Sequence, residues 1–171
     1  AEATGQNGVP VPALVAAFRD LMQAPEHAQY LHWGATSQDI QDTALMLRLR
    51  QVLAQYDDAL GSLLHALARL ARDHSETPMA ARTYGQHATP TSFGAQVAQW
   101  GRPLLTLHTE LRQMRDAGLP VSLSGAAGTA TALGPDPAAL RAALAAALGL
   151  RDPGHSWHSD RSLVTQIAAW I

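Results

Sequence analysis

The sequence predicts an all-α fold built on long helices, and three observations carry that prediction. Ala and Leu dominate a composition that is 47% hydrophobic and only 5% aromatic. Both residues rank among the strongest helix formers, and β-branched residues are sparse. A stretch at 39–73 contains no Pro and a single Gly, Gly61, with Leu45, Leu49, Val52, Leu53, Tyr56, Leu60, Leu63, Leu64, Leu67 and Leu70 at three- and four-residue steps. Phe93, Val97, Trp100, Leu104, Leu107, Leu111 and Met114 repeat the pattern over 91–117.

The elements follow in order. Residues 1–9 are polar and Gly-containing and read as a loop. Pro10 and Pro12 open an amphipathic helix over 11–23, which Ala24-Pro25 breaks. The 39–73 helix begins after Thr36-Ser37-Gln38-Asp39, a capping box with Thr36 as N-cap and Asp39 at the third helical position. About 35 helical residues span about 50 Å, which calls for a long bundle partner. Residues 78–91 are a connecting segment with Pro78, Gly85 and Pro90. The 91–117 helix is expected to kink at Pro103 and to pack antiparallel on the first. A small-residue segment, 122–134, precedes a helix that Asp136-Pro137 starts and Gly149 ends. Ser159 caps a last helix, 160–171, whose pattern is still running at the final residue.

Composition narrows the chemistry. The net charge is -2 with both signs dispersed, so no nucleic-acid or membrane partner is expected. There is no Cys, and all 12 basic residues are Arg. Disulfides, thiol chemistry, a Schiff-base lysine and a P-loop lysine are therefore outside this chain's means. No apolar run approaches the roughly 20 residues of a membrane span. No signal peptide is visible, and a cytoplasmic location is expected.

Four clusters hold candidate site residues. In His32-Trp33-Gly34-Ala35-Thr36-Ser37-Gln38-Asp39, Thr36 and Ser37 place two hydroxyls and free N–H groups at a helix N-terminus, an arrangement suited to a carboxylate. His32 precedes them as a proton or hydrogen-bond donor. The competing reading is a helix cap beside a packed histidine. Thr83, Tyr84, Gln86 and His87 concentrate polar chemistry in the 78–91 connection, which reads equally well as an ordinary interhelical link. Ser124-Gly125-Ala126-Ala127-Gly128-Thr129 lacks the GK[ST] of a phosphate loop and reads as close backbone packing or a pocket wall. His155, His158 and Asp160 have partial zinc spacing, but no HExxH occurs, and no metal site is expected.

The order and spacing of these clusters carry more than any one of them. HWGATSQDIQDTAL resembles the first signature of the fumarase/aspartase superfamily, an H-x-G-x-T-S-x-D pattern opening a long helix. RTYGQHATPTSFG resembles the second, R-T-H-x-x-x-A-x-P-T-x-F-G. SGAAGTATALG resembles the G-A-x-G-T segment that follows. Within the superfamily, HWGATSQD, TPMA-x-RT, QHATP and PxxxWHxxR resemble the 3-carboxy-cis,cis-muconate cycloisomerase branch. Most lyases of the superfamily carry His where this chain has Tyr84, whereas that branch also places an aromatic residue there. The third signature, resembling G-S-S-x-M-P-x-K-x-N-P and bearing the family's catalytic Ser and Lys, is not in these residues.

The resemblance implies a truncated long-helix bundle of the L-aspartase type. Residues 1–38 would end an N-terminal helical domain, and 39–171 would form the first part of the central bundle. It implies lactonisation of 3-carboxymuconate to carboxymuconolactone in aromatic degradation by the β-ketoadipate route. No metal or organic cofactor is implied. His32, Ser37 and Tyr84 would be catalytic, and Thr36, Thr83, Gln86 and His87 would bind a small tricarboxylate. Family members are homotetramers more than twice this length, so an inactive internal fragment is expected. The alternatives are a fumarate-releasing lyase of the adenylosuccinate or argininosuccinate type, and a non-catalytic helical fragment.

Overall fold

The computed structural model describes residues 2–171. The order of elements is α1 (Glu2–Asn7), α2 (Val11–Leu21), α3 (Pro25–Ala28), α4 (Ser37–Asp73), β1 (Pro78–Thr83), β2 (Gln86–Ser92), α5 (Phe93–Ala117), a 3₁₀ turn (Thr131–Leu133), α6 (Pro137–Leu148) and α7 (Ser162–Trp170). Both long helices stand where their apolar periods place them. Among the described residues no helix is long and apolar enough to cross a membrane.

The chain divides into two compact units, one formed by 1–50 with 118–169 and 171, the other by 51–117 with Trp170. The first unit buries Val11, Met46, Leu119, Val121, Leu123, Ala145, Trp157 and Ile167. The second buries Leu53, Val97, Leu111 and Met114.

Within the second unit, α4 and α5 run antiparallel, as expected. Asp57 meets His108 at 2.6 Å, and the Gly94 N–H donates to the His74 carbonyl at 2.9 Å. Gly94 is buried, and a Cβ there would press on the Ala71 and His74 carbonyls, so only glycine permits this approach. Ser92 caps α5 by accepting the Ala95 N–H at 3.2 Å. The helix runs through Pro103.

Three elements differ from the sequence expectation. Glu2–Asn7 is a short helix rather than loop. Residues 78–92 are not an irregular connection but an antiparallel β-hairpin, with Thr83 paired to Gln86 and Arg82 to His87. Tyr84 and Gly85 form its two-residue turn, with φ of 48° and 74°. Two consecutive positive φ values define the turn whose twist matches the strands, and Gly85 adopts its share without strain. Pro90, which has no N–H, is accommodated because a two-stranded sheet consists of edge strands. Finally, α7 starts at Ser162, and Asp160 rather than Ser159 holds its first turn, accepting from the Ser162 N–H at 3.0 Å and its hydroxyl at 2.6 Å. A carboxylate is the better acceptor of two donors at once.

Candidate functional site

The N-terminus of α4 is organised by Asp39. This residue lies on the inward stripe of α4 with Asp42 and Met46, and its relative exposure is 1%. A buried carboxylate must collect donors, and Asp39 collects five. The Thr36 N–H reaches Oδ2 at 3.0 Å, completing one half of the capping box. The Ser124 and Gly125 N–H groups reach Oδ1 and Oδ2 at 2.9 Å each. The Ser122 hydroxyl donates to Oδ1 at 3.0 Å, and His158 Nε2 lies 2.8 Å from Oδ1. Burial pushes the Asp39 pKa up, but the bonds from Thr36, His158, Gly125 and Ser124 outweigh it and hold the carboxyl below its ordinary value.

A second buried carboxylate braces the same region. Asp42 takes a bidentate pair from Arg161, at 2.8 and 2.9 Å. Arg161 in turn covers the Trp157 ring at 5.1 Å, and the Trp157 indole donates to the Val121 carbonyl at 2.9 Å. Thr43 exchanges two hydrogen bonds with the Ser122 backbone, each 3.0 Å.

Glycines let the small-residue loop close on this frame. Gly34, at φ 69°, would place a Cβ 2.6 Å from the Ala132 carbonyl oxygen. A Cβ on Gly125, at φ 71°, would lie 2.9 Å from the Gly34 carbonyl oxygen, and one on Gly128 would lie 3.0 Å from the Ser156 hydroxyl. The 124–129 segment is thus a close-packed wall rather than a phosphate loop.

The sequence-predicted residues fall into two groups, one in each unit. In the first unit, α4 begins at Ser37 with Thr36 just before it. Both residues are half-buried, and among the described residues neither hydroxyl is engaged in a hydrogen bond. His32 adopts φ 68°, a left-handed conformation that a non-glycine residue rarely holds. Its Nε2 is buried without a hydrogen-bond partner. A left-handed backbone and a buried ring nitrogen without a partner at one residue keep His32 a candidate site residue. In the second unit, Thr83, Tyr84, Gln86 and His87 are all exposed on the hairpin, and the Tyr84 ring stands wholly in solvent at its tip. His155, His158 and Asp160 do not converge as ligands: His158 faces Asp39 and Asp160 faces Ser162.

Sequence reasoning read Asp39 only as a capping residue and missed Ser122 and His158 as its partners and Arg161 as the partner of Asp42. One signal was present. Asp39 and Asp42 share the helical stripe of Met46, which places two carboxylates on a buried face.

A sequence profile of the lyase family matches residues 5–171. The chain belongs to the lyase family. This lyase chain is 39% identical over 168 residues to a 3-carboxy-cis,cis-muconate cycloisomerase of Bradyrhizobium diazoefficiens, covering 98% of the chain and 37% of that protein. The crystal structure of the 3-carboxy-cis,cis-muconate lactonizing enzyme from Pseudomonas putida superposes with a TM-score of 0.93 at 34% identity, covering 99% of this lyase chain and 39% of that one. That of a fumarate lyase from Mesorhizobium sp. BNC1 superposes with a TM-score of 0.92 at 39% identity, covering 99% and 40%. The lyase chain therefore spans less than two fifths of the length of the curated relative. Its architecture is of the fumarase/aspartase type.

Proposed function

We propose that the whole protein is a 3-carboxy-cis,cis-muconate cycloisomerase, and that the N-terminus of α4 binds a carboxylate of its tricarboxylate substrate. The observation that supports the site is His32, with its left-handed φ and its buried Nε2 without a partner, four residues before Thr36. In the reaction a substrate carboxylate oxygen adds to a carbon–carbon double bond and the adjacent carbon takes up a proton. Charge builds on an enolate-like carbon next to a carboxylate, so catalysis needs donors fixed where that charge develops. Thr36 and Ser37 donate hydrogen bonds, and the helix terminus adds a partial positive charge. His32 delivers or orients the proton. The hairpin is a separate proposal that rests on the resemblance alone: Thr83, Gln86 and His87 as anion contacts and Tyr84 as a catalytic residue, where most lyases of the superfamily carry His.

A fumarate-releasing lyase is the second reading, favoured by the likeness to the Mesorhizobium fumarate lyase. The two are separated by assaying the protein encoded by the whole gene. Lactone formation from 3-carboxy-cis,cis-muconate, with no fumarate released from adenylosuccinate or argininosuccinate, is expected; the reverse outcome sinks the cycloisomerase reading. The 171 residues by themselves contain no lysine and no segment of the G-S-S-x-M-P-x-K-x-N-P type. They are expected to show no turnover.

The protein also works as a cytoplasmic homotetramer in this reading. Val52, Tyr56, Leu63, Leu70, Trp100, Leu105 and Leu107 lie exposed on α4 and α5. Apolar surface of that extent on two helices is characteristic of association. Light scattering is expected to report self-association at micromolar concentration, and a clean monomer at high concentration would count against it.

A further inference from the structure

We propose that His158 is a positioning residue that acts through Asp39 to hold the donors at the N-terminus of α4 in register for an anion; this rests on the carboxylate-binding reading above. His158 Nε2 lies 2.8 Å from Asp39 Oδ1 and 3.1 Å from the Ser122 hydroxyl oxygen. An ionised carboxylate only accepts, so Nε2 must carry the hydrogen. The Ser122 hydroxyl spends its own hydrogen on Asp39 Oδ1, which leaves its oxygen as a second acceptor for Nε2–H. The tautomer is thereby fixed. His158 is itself held from behind, because its carbonyl accepts the Gln38 side-chain N–H at 2.9 Å. Gln38 directly follows Ser37, so one short circuit joins the hydroxyl-bearing turn, the imidazole and the buried carboxylate. The far oxygen of that carboxylate grips the Thr36 N–H at 3.0 Å and the Gly125 N–H at 2.9 Å. A Nε2–H bond to Oδ1 sets the rotation of the whole carboxylate, and through it the place of Thr36. At 15% side-chain exposure, His158 adds little to the apolar core that a leucine could not replace.

The test uses the whole protein and three variants. His158→Leu removes the donor and keeps the volume, His158→Gln returns an amide N–H at similar reach, and Ser37→Ala reports the anion site itself. Tricarballylate, a saturated tricarboxylate, serves as the titrant in calorimetry. Binding about 10-fold weaker in His158→Leu is expected, the scale seen when residues that orient metal ligands are lost, with near wild-type affinity in His158→Gln; Tm should fall in His158→Leu, which leaves the buried carboxylate short of one donor, and be largely restored in His158→Gln. A merely structural histidine would lower Tm in His158→Leu while leaving the tricarballylate affinity of the folded variant unchanged. Nitrogen-15 spectra of the wild type at mildly alkaline pH are expected to show His158 as the Nε2–H tautomer, a readout that needs no variant to fold. Unchanged binding in His158→Leu, failure of Gln to restore it, or the Nδ1–H tautomer each overturns the inference. If Ser37→Ala weakens binding while His158→Leu does not, the anion site stands and the inference alone falls. If the wild type binds no tricarballylate, both fall.

Discussion

Asp39→Ala is expected to destabilise the fold by about 3–5 kcal/mol, the range for removing one partner from a buried charged cluster. The loss strands the Ser124 and Gly125 N–H groups, the Ser122 hydroxyl, the Thr36 N–H and His158 Nε2. Each buried donor left without an acceptor costs about 1–3 kcal/mol, though neighbours relax and the sum is not additive. A typical domain has about 5–15 kcal/mol in all, so the variant should be partly unfolded at ambient temperature. Urea denaturation checks this, and a change under about 1 kcal/mol would show that the carboxylate is not the organising group. Asp39→Asn should fare little better, since its amide turns two hydrogens towards a ring of donors.

The same residue gives a pH dependence of known sign. The folded Asp39 carboxyl is held below its ordinary value, whereas the unfolded one titrates near about 3.9. Its stabilisation is therefore complete above that pH and is lost as pH falls through the folded value. Asp57 and Asp152 are depressed too, by His108 and Arg115 at the first and chiefly by Arg141 at the second, so they titrate in the same acid window. Comparing Asp39→Asn with wild type below pH 5 isolates the Asp39 share: the wild-type curve should fall more steeply.

Ser37→Ala is expected to lower kcat/KM of the whole protein by about 10²–10³-fold, the usual loss for one donor in a site that stabilises developing charge. The fold predicts that stability barely moves. Ser37 is the first helical residue rather than the N-cap, and its hydroxyl makes no hydrogen bond among the described residues. A lost cap would instead cost on the order of 1 kcal/mol and leave kinetics nearly unchanged. Measuring kcat/KM and Tm together separates the two. A lowered Tm with unchanged kcat/KM would assign Ser37 to structure and remove it from the site.

The sequence by itself determined the long helices, their antiparallel packing, the caps at Asp136 and Gly149, and the half of the capping box in which Asp39 accepts the Thr36 N–H. The helices and caps are legible because they rest on neighbours within a few residues, and the antiparallel packing because the connection between the two helices is short. An apolar stripe repeats with the helical period, Asp136 accepts the Ala139 N–H three residues on, and Gly149 takes the left-handed φ of 61° that ends α6. The order of motifs pointed to the lyase family. The hairpin at 78–92 was not legible, because its strands are short and two prolines mask the alternation that marks a sheet.

Only the tertiary structure decided what Asp39 does. Its partners Ser122, Ser124, Gly125 and His158 lie 83 to 119 positions away. No local period records such a meeting, and the sequence displays only a cap. Only the folded chain shows the left-handed φ of His32 and its buried, partnerless Nε2, neither of which has a local sequence signal. Short-range chemistry set the elements; burial of two carboxylates on a helix face set what those elements had to bring to them.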